Sequence, residues 1–421
     1  MPETLNNTFK PLGPAPIQDP TTTRLFDGKI WGTGKATGAI NTLELVQDRD
    51  TKNGTLYAGS VSGGVWARNY NGATDSWDKE WKWLSSSSDY KGVQSISKLK
   101  ITKDKKWLIA AAGAVSSFNL LRGDIQEPLQ LASLAPDGTF KQWEQNAGNN
   151  QDLIKGQAVI ALETTDNLVI IGTETGLYVG KIDGKLETVV LSYPDIYISS
   201  IGIGASGRIY AAVPNKGVFT TTIAELKANP GSSSIWKTLN GSEERSKMKI
   251  LKLSTSTDPA TGNDILYMGT AGINGGYESI HRLIYDNATT PSWADKDVNG
   301  MIGTSAYNGL HMSFAADTTN PNRVFAGGNY LASPGLGDGV GGGLVAITFD
   351  GINAKLEGHY GSKEFPTHAD GTSPHPDSRD IVFLKTAQLD KTGEKIDRII
   401  EADDGGIAIK DIDISAQWKV F

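Results

Sequence analysis

The chain has 421 residues, and its 40 basic and 47 acidic side chains leave a formal net charge of -7. Such a balance offers no basic face for a phosphate backbone, so we expect no nucleic-acid partner. Cysteine is absent, which excludes disulfides, thiolate zinc sites and a cysteine nucleophile. No apolar run approaches the ~18 residues of a membrane span, and residues 1–20 lack the apolar stretch of a signal peptide. We predict no membrane insertion.

A repeated strand pattern is the strongest signal along the chain. Seven times, a β-branched or aromatic segment ends in a small residue and is followed by a short polar or glycine turn and a second apolar segment. The small residues are Gly59, Ala111, Gly172, Ala212, Gly269, Gly327 and Ala402. Their spacing runs from 40 residues (172 to 212) to 75 residues (327 to 402), which suits four short strands with their loops.

Flanking strands complete each repeat. The alternating segment Ile40–Val46 precedes the first copy, and strands that contain tryptophan follow most copies. These tryptophans are Trp81, Trp83, Trp143, Trp236, Trp293 and Trp418. A four-stranded sheet cannot cover both of its faces alone, so such units stack radially into a closed ring. The sequence therefore predicts an all-β fold, a seven-bladed β-propeller of four-stranded antiparallel blades.

The extent of the repeats sets the predicted domain boundaries. We predict an N-terminal extension over residues 1–24 and a single propeller over residues 25–421. The segment Thr23–Trp31 is predicted to pair as a clasp beside the last strand, Trp418–Phe421. Only Ile223–Ala228 is predicted to be helical.

Two turns resemble the repeat of a known propeller superfamily. Asn69–Gly72 leads to Trp77, and Asp137–Thr139 leads to Trp143. Both are similar to the Asp-box of the BNR/sortilin-like β-propellers, which include sialidases, sortilin-type receptors and xyloglucanase-type hydrolases. Neither turn keeps the full Ser-x-Asp-x-Gly-x-x-Trp form, so the resemblance implies a fold and no activity.

Three stretches carry a closer resemblance, to propeller modules of large secreted bacterial proteins of cyanobacterial type that contain calcium-binding repeats. The stretches are Gly13–Ile17, Leu310–Asn322, and His375–Asp380 followed by Asp403–Ile407. Thr318 and Ala408 depart from the pattern of those proteins. The resemblance implies an extracellular or cell-surface location and a chain that is one module of a larger polypeptide, with calcium as the cofactor to be tested.

Long loops of blades 5 to 7 are the expected position of a binding site. In a propeller, the loops between the second and third strands share one face with the loops that lead to the next blade, and we call this the upper face. Loops on a rigid scaffold commonly carry function. The predicted ligand-binding residues are His311, Tyr330, His368, His375, Asp377 and Arg379. Hard carboxylate oxygens suit calcium, so the predicted metal-binding residues are Asp377, Asp403 and Asp404.

The residue types in this cluster fit three interpretations. In the first, a structural network of charge-assisted hydrogen bonds joins Asp377, Arg379 and Asp404. The cluster holds a metal in the second. In the third, a histidine or aspartate takes a proton while Arg379 neutralises a substrate carboxylate. The sequence identifies no catalytic residue.

Two functional classes follow from these interpretations. The favoured hypothesis is a binding module that recognises a glycan or a surface protein through the upper-face loops of blades 5–7. The alternative is a polysaccharide-active enzyme, a uronate lyase or a glycoside hydrolase. A sialidase is rejected because it grips a carboxylate with three arginines, whereas only Arg245 and Arg379 lie in the predicted upper loops.

Overall fold

β-Strands dominate the chain because β-branched and aromatic residues recur in short runs that glycine, asparagine and aspartate interrupt. The structure is a computed structural model. It describes residues 17–18, 24–26, 29–31, 35–36, 39–113, 125–144, 151–187, 189–246, 250–272, 277–286, 292–298, 302–303, 311–331, 343–361, 377–389, 395–412 and 419–420.

The first three sheets each begin with their innermost strand and continue outward along the chain. Blade 1 contains Ile40–Gln47, Gly54–Ser60 and Val65–Asn71, and both Ser76–Trp77 and Lys82–Trp83 pair along its outer edge. Blade 2 contains Ile96–Ile101, Trp107–Ala112, Leu129–Leu134 and Phe140–Trp143. Blade 3 contains Ala161–Thr164, Leu168–Gly172, Gly176–Lys181 and Val190–Pro194.

The other four sheets follow the same order. Blade 4 contains Ser200–Ile203, Arg208–Val213, Gly217–Thr222 and Lys237–Thr238. Blade 5 contains Ile250–Thr257, Asp264–Ala271, Tyr277–Tyr285 and Trp293–Asp297. Blade 6 contains Ser313–Ala316, Arg323–Gly327, Gly343–Asp350 and Asn353–Gly361. Blade 7 contains Asp380–Leu389, Lys395–Asp403, Gly406–Asp411 and Lys419–Val420.

Every blade is an antiparallel meander, in which consecutive strands are neighbours in the sheet. In blade 5, for example, Leu253 lies opposite Met268, which lies opposite His281, which lies opposite Asp295. All seven small residues of the sequence repeat fall in the second strand of their blade. The predicted seven-bladed β-propeller is therefore confirmed.

The hydrophobic core is divided into layers between blades. Seven clusters of buried apolar side chains are found among the described residues, and each joins two neighbouring blades. Tyr57 of blade 1 packs with Ile96 and Leu108 of blade 2, and Leu384 of blade 7 packs with Leu56 of blade 1. Burial of apolar surface between blades is thus what holds the ring together.

Several short elements lie outside the blades. Ile17–Gln18 pairs with Lys35–Ala36, Arg24–Phe26 pairs with Lys29–Trp31, and Ile302–Gly303 pairs with Tyr330–Leu331. The helices are Ile223–Ala228 and Ser242–Arg245, with 3-10 turns at Leu84–Ser86 and Ser233–Ile235. None of the helices in the described ranges is long and apolar enough to cross a bilayer.

The predicted helix is confirmed, whereas the predicted clasp is wrong for the residues described. Ile223–Ala228 begins with a capping box in which Thr222 and Glu225 bond each other's backbone N–H groups. Arg24–Phe26 and Lys29–Trp31 pair with each other as a hairpin, and Lys419–Val420 pairs with Gly406–Asp411 of its own blade. A local hairpin forms because its closure entropy is far smaller than that of a contact across the whole chain. The boundary between residues 24 and 25 stays a prediction.

Gly172 provides a test of the close approach between blades 3 and 4. A Cβ atom at this position would lie 2.5 Å from Ile198 Cγ2 and 3.1 Å from the Cβ of Ala161. We expect Gly172→Ala to lower the free energy of unfolding by about 1–3 kcal/mol, because the added methyl overpacks the layer between the blades. Urea unfolding measures the change. The control is Gly231→Ala, whose nearest contact would be the Leu191 carbonyl oxygen at 3.8 Å; equal stability of the two variants would contradict the argument.

Candidate functional site

The inner strands of all seven blades enclose a channel, which contains a cavity of about 360 Å³. A cavity of this size can hold a small molecule. Its charged lining residues are Glu44, Lys98, Lys100, Glu163, Lys252, Arg379 and Asp380. The upper mouth of the channel is the end at which the inner strands begin.

Five of the predicted site residues are described with their side chains. His311, Asp377, Arg379 and Asp404 lie in contact with one another at the upper mouth. Asp403 is adjacent in the chain and buried. Tyr330 is described only as part of the short strand Tyr330–Leu331, and His368 and His375 lie outside the described residues.

Arg379 is the centre of the cluster, and its side chain is 2% exposed. Its Nε donates to Asp404 Oδ1, its Nη1 donates to Asn41 Oδ1 at 3.2 Å, and its Nη2 donates to His311 Nε2 at 2.9 Å. Its backbone N–H donates to the Ala402 carbonyl at 2.8 Å. The guanidinium therefore joins blade 7 to blade 1 and to the segment that precedes the inner strand of blade 6.

The tautomer of His311 follows from these contacts. Arginine has no acceptor, so Nε2 of His311 must accept the hydrogen bond and the ring proton must be on Nδ1. Nδ1 then donates to Asn329 Oδ1, at 2.9 Å, or to Asp377 Oδ1, at 3.1 Å. The ring is buried, with 6% of the side chain exposed. Both nitrogens are occupied, so His311 has no free nitrogen with which to accept a proton from a ligand.

The backbone fixes the two partly exposed carboxylates of the cluster. Asp377 has a φ of 76°, and its N–H donates to the Asn329 carbonyl of blade 6 at 3.2 Å. Asp404 is in the tight turn between the second and third strands of blade 7, where Asp403 pairs with Gly406. The side chains of Asp377 and Asp404 are 25% and 27% exposed. They are the groups of the cluster that a ligand can reach.

Asp403 and Glu401 are buried carboxyl groups on the second strand of blade 7. Asp403 Oδ1 accepts from the Gly405 N–H at 2.7 Å, which stabilises the turn. Burial, followed by the charge of Glu401, raises the pKa of Asp403 well above its usual range. Burial raises the pKa of Glu401 to about 8. Among the described residues, neither of its oxygens has a hydrogen-bond partner of normal geometry, although the Ser378 hydroxyl is close enough to favour the charged form.

The predicted metal site at Asp377, Asp403 and Asp404 stays a prediction. Within the described ranges, no three histidine, aspartate or glutamate side chains are grouped so as to hold a metal ion. Asp404 is bound to Arg379, and Asp403 is bound to its own turn. These contacts correspond to the interpretation of the cluster as a structural network.

Below the mouth, one group of charges in the channel consists of one base and two acids, Lys100, Glu163 and Glu44. Lys100 Nζ lies 2.9 Å from Glu163 Oε1, and Glu44 Oε1 accepts from the Ile101 N–H at 3.2 Å. Burial raises the pKa of Glu44 to about 7, against the opposite influence of Lys100. Burial acts to lower the pKa of Lys100, but the carboxylates of Glu163 and Glu44 outweigh it and raise that pKa above its usual range.

A second group in the channel consists of two lysines without an ion pair to any described residue. Lys98 of blade 2 and Lys252 of blade 5 both line the cavity. Burial, and then the charge of Lys98, lower the pKa of Lys252 to about 7, and Asp380 acts in the opposite direction. Asp380 itself accepts from the Leu43 N–H at 2.9 Å and from Thr42 Oγ1 at 3.0 Å.

Sequence reasoning missed Asn41 and the lysines of the channel. Asn41 accepts from Arg379 and donates through Nδ2 to the Ser97 carbonyl at 2.6 Å, so it links blades 7, 1 and 2. A signal was present for the lysines, because Lys98, Lys100 and Lys252 interrupt the apolar pattern of the inner strands Ile96–Ile101 and Ile250–Thr257. The side chains of all three lysines are half-buried, and lysine is seldom removed from water without a charged partner.

The fold and the channel define the chain as a seven-bladed β-propeller. No protein-family model and no curated protein matches it. An ancestral GH74 enzyme has a TM-score of 0.53 at 12% identity, over 91% of this chain and 46% of its own. PorZ, an essential bacterial surface component of the type-IX secretion system of Porphyromonas gingivalis, has a TM-score of 0.50 at 10% identity, over 91% of this chain and 38% of its own. The chain spans less than half the length of either protein. At 10–12% identity, the similarity concerns the fold alone. The resemblances to Asp-box propellers and to cyanobacterial-type modules stay predictions.

Arg379→Met tests whether the upper cluster is structural. We expect a loss of about 3 kcal/mol in the free energy of unfolding, because the substitution leaves Asp404, Asn41 and His311 without their shared donor. Chemical denaturation measures the loss. Arg49→Met is the control, since Arg49 is exposed and should change stability by less than about 0.5 kcal/mol. Equal effects of the two substitutions would show that the network contributes nothing.

Lys252→Met tests whether the lowered pKa of Lys252 reduces the stability of the folded protein. The folded protein holds the pKa of Lys252 at about 7, below the value of ~10.4 in an unfolded chain. Between these values the unfolded chain binds more protons, so the stability of the natural protein falls as the pH is lowered from about 10 to 7. We expect Lys252→Met to remove this fall and to be more stable by about 2 kcal/mol at pH 7. Denaturation at pH 7 and pH 9.5 measures the difference, and a pH-independent difference would contradict the argument.

Proposed function

We propose that the chain is an extracellular or cell-surface binding module that recognises a glycan or a protein at its upper face. The ligand meets the mouth of the channel and the surrounding loops of blades 5–7. We further propose that this propeller is one module of a larger polypeptide. PorZ, with which the chain shares a fold, is a bacterial surface component, and the location proposed for this chain is the same.

The observation that supports the proposal is that the polar side chains of the cluster at the mouth are bonded mostly to one another. The side-chain nitrogens of Arg379 and His311 form hydrogen bonds with each other and with neighbouring side chains. The carboxylates of Asp377 and Asp404 stay about a quarter exposed on this rigid base. Carboxylates accept hydrogen bonds from sugar hydroxyls and from peptide N–H groups. A pre-organised polar surface of this kind suits recognition.

The same contacts weigh against the enzymatic alternative. A uronate lyase needs an arginine free to neutralise the substrate and a base free to take a proton. Arg379 is bound to three side chains, and both nitrogens of His311 are occupied. In the first role Arg379 would have to release one of these side chains, and in the second His311 would have to release Arg379 or the acceptor of its Nδ1 proton.

Asp377→Asn tests the upper face as a binding surface. Asparagine tolerates the positive φ of 76° at this position, and its carbonyl oxygen can still accept from His311, so the fold is retained while the charge is lost. We expect affinity to fall by about tenfold, the typical loss of about 1.4 kcal/mol for a charge-assisted hydrogen bond. Binding is measured on an array of neutral and acidic oligosaccharides and to bacterial surface proteins, followed by interferometry.

The control for this experiment is Asp183→Asn, whose carboxylate is 75% exposed in blade 3 and should leave binding unchanged. The absence of any glycan or protein ligand would overturn the proposal, as would equal affinities of the two variants. Melting temperatures with calcium and with EDTA, recorded on the same samples, test the proposed binding of calcium through Asp377, Asp403 and Asp404, because a ligand of the native state raises stability.

A further inference from the structure

The channel of this acidic protein contains lysines that no carboxylate of the described residues contacts. Among its charged lining residues, four are basic and three are acidic, whereas the whole chain has a formal charge of -7. The three carboxylates have partners of their own: Glu163 pairs with Lys100, Glu44 accepts from a backbone N–H, and Asp380 accepts from Thr42 and Leu43. Arg379 is bound to Asp404 and Lys100 to Glu163, so the bases of the channel without a contacting carboxylate in the described ranges are two lysines.

Lys98 and Lys252 are these two lysines. They line one cavity from blades 2 and 5, and each belongs to an inner strand. Neither ammonium group has a hydrogen bond or an ion pair with another described residue. The hydroxyl groups around them are occupied: Ser200 accepts from the Leu253 N–H at 3.0 Å, and Ser254 accepts from the Ala316 N–H at 2.8 Å.

Two ammonium groups without a contacting carboxylate from the described part of the chain share one cavity, because the carboxylates of Glu44 and Asp380 are bonded to blades 2 and 1. Like charges near each other oppose ionisation, and removal from bulk water adds to that cost. A group with two or more oxygens can accept from both lysines at once. We propose that the channel binds a small oxyanion, a carboxylate, phosphate or sulfate group, between Lys98 and Lys252.

This site lies inside the ring and does not depend on the ligand of the upper face. The cavity of about 360 Å³ has room for a small organic acid as well as for an inorganic ion. Free inorganic anions and the acidic group of a small metabolite share the same recognition chemistry. The experiment separates the two sources by using sulfate and citrate as probes.

Binding is coupled to the protonation of Lys252. The charged groups that face the cavity are Lys98 and Lys100 of blade 2, Glu44 of blade 1, Glu163 of blade 3, and Arg379 and Asp380 of blade 7. The lining residues from blades 4 and 6 are uncharged. Lys252 has a pKa of about 7 without a ligand, and a bound anion favours its charged form. At pH 8, an anion therefore binds together with a proton.

Isothermal titration calorimetry of the full chain tests the proposal. Sodium sulfate and sodium citrate are titrated at pH 8 against a constant background of sodium chloride, in two buffers of different ionisation enthalpy. We expect saturable binding of at least one probe, an uptake of close to one proton per anion, and affinity that is about fivefold higher at pH 7 than at pH 8. Tighter binding of citrate indicates an organic acid, and tighter binding of sulfate indicates an inorganic ion.

Variants separate the channel site from general salt effects. Lys98→Met and Lys252→Met should each weaken binding at least about tenfold, and Lys252→Met should also abolish the proton uptake. Lys155→Met is the matched control, because Lys155 is exposed in the segment before blade 3. Binding that survives both channel substitutions, or equal weak heats for both probes and chloride, overturns the proposal. Asp377→Asn should leave anion binding unchanged, so loss of the upper-face ligand and loss of the channel ligand are distinguishable.

Discussion

The contact between blade 7 and blade 1 closes the ring, and the rest of the molecule depends on it. Each blade has two faces to bury, and an open ring would leave one face exposed at each end. Leu384 packs against Leu56 across this contact, and Asp380 accepts from Thr42 and Leu43. A further ion pair, between Arg398 of blade 7 and Asp75 of blade 1, lies farther from the axis. Apolar packing supplies most of the stabilisation, and these polar contacts fix the register of the two blades.

The candidate site is built from the same contact. Arg379 and Asp380 are consecutive residues that both bind blade 1: the first reaches Asn41 in the upper cluster, and the second reaches Thr42 and Leu43 beside the channel. Movement of Arg379 away from Asn41 would remove one of the contacts that close the ring. This coupling holds the cluster as a preformed polar surface. It also explains why a buried arginine is tolerated, since each of its three side-chain nitrogens donates to a side chain from a different part of the ring.

The fold could be predicted from the sequence because its signal is local and repeated. Gly59, Gly172 and Gly327 recur at the same place in their blades, where an added Cβ atom would lie 2.5 to 2.6 Å from a neighbouring side-chain atom, and a small residue stands at this place in every repeat. The proximity of His311 and Arg379 was also predictable, because both adjoin loops of the upper face. Asn41 could not be assigned in this way. It is 338 residues from Arg379, and only ring closure brings the two together.

The channel shows a second limit to what strand patterns reveal. Lys98 and Lys100 are two residues apart in one inner strand, and both line the cavity. Lys100 meets Glu163 from blade 3 and is influenced by Glu44 from blade 1, so its charge is compensated. At Lys98 the described neighbours provide no carboxylate within ion-pairing distance, and its charge acts instead on Lys252. The period of two that places both lysines on one side of a strand cannot say which will be paired. Their partners come from other blades, so the chemistry of the channel is a property of the assembled ring rather than of any one repeat.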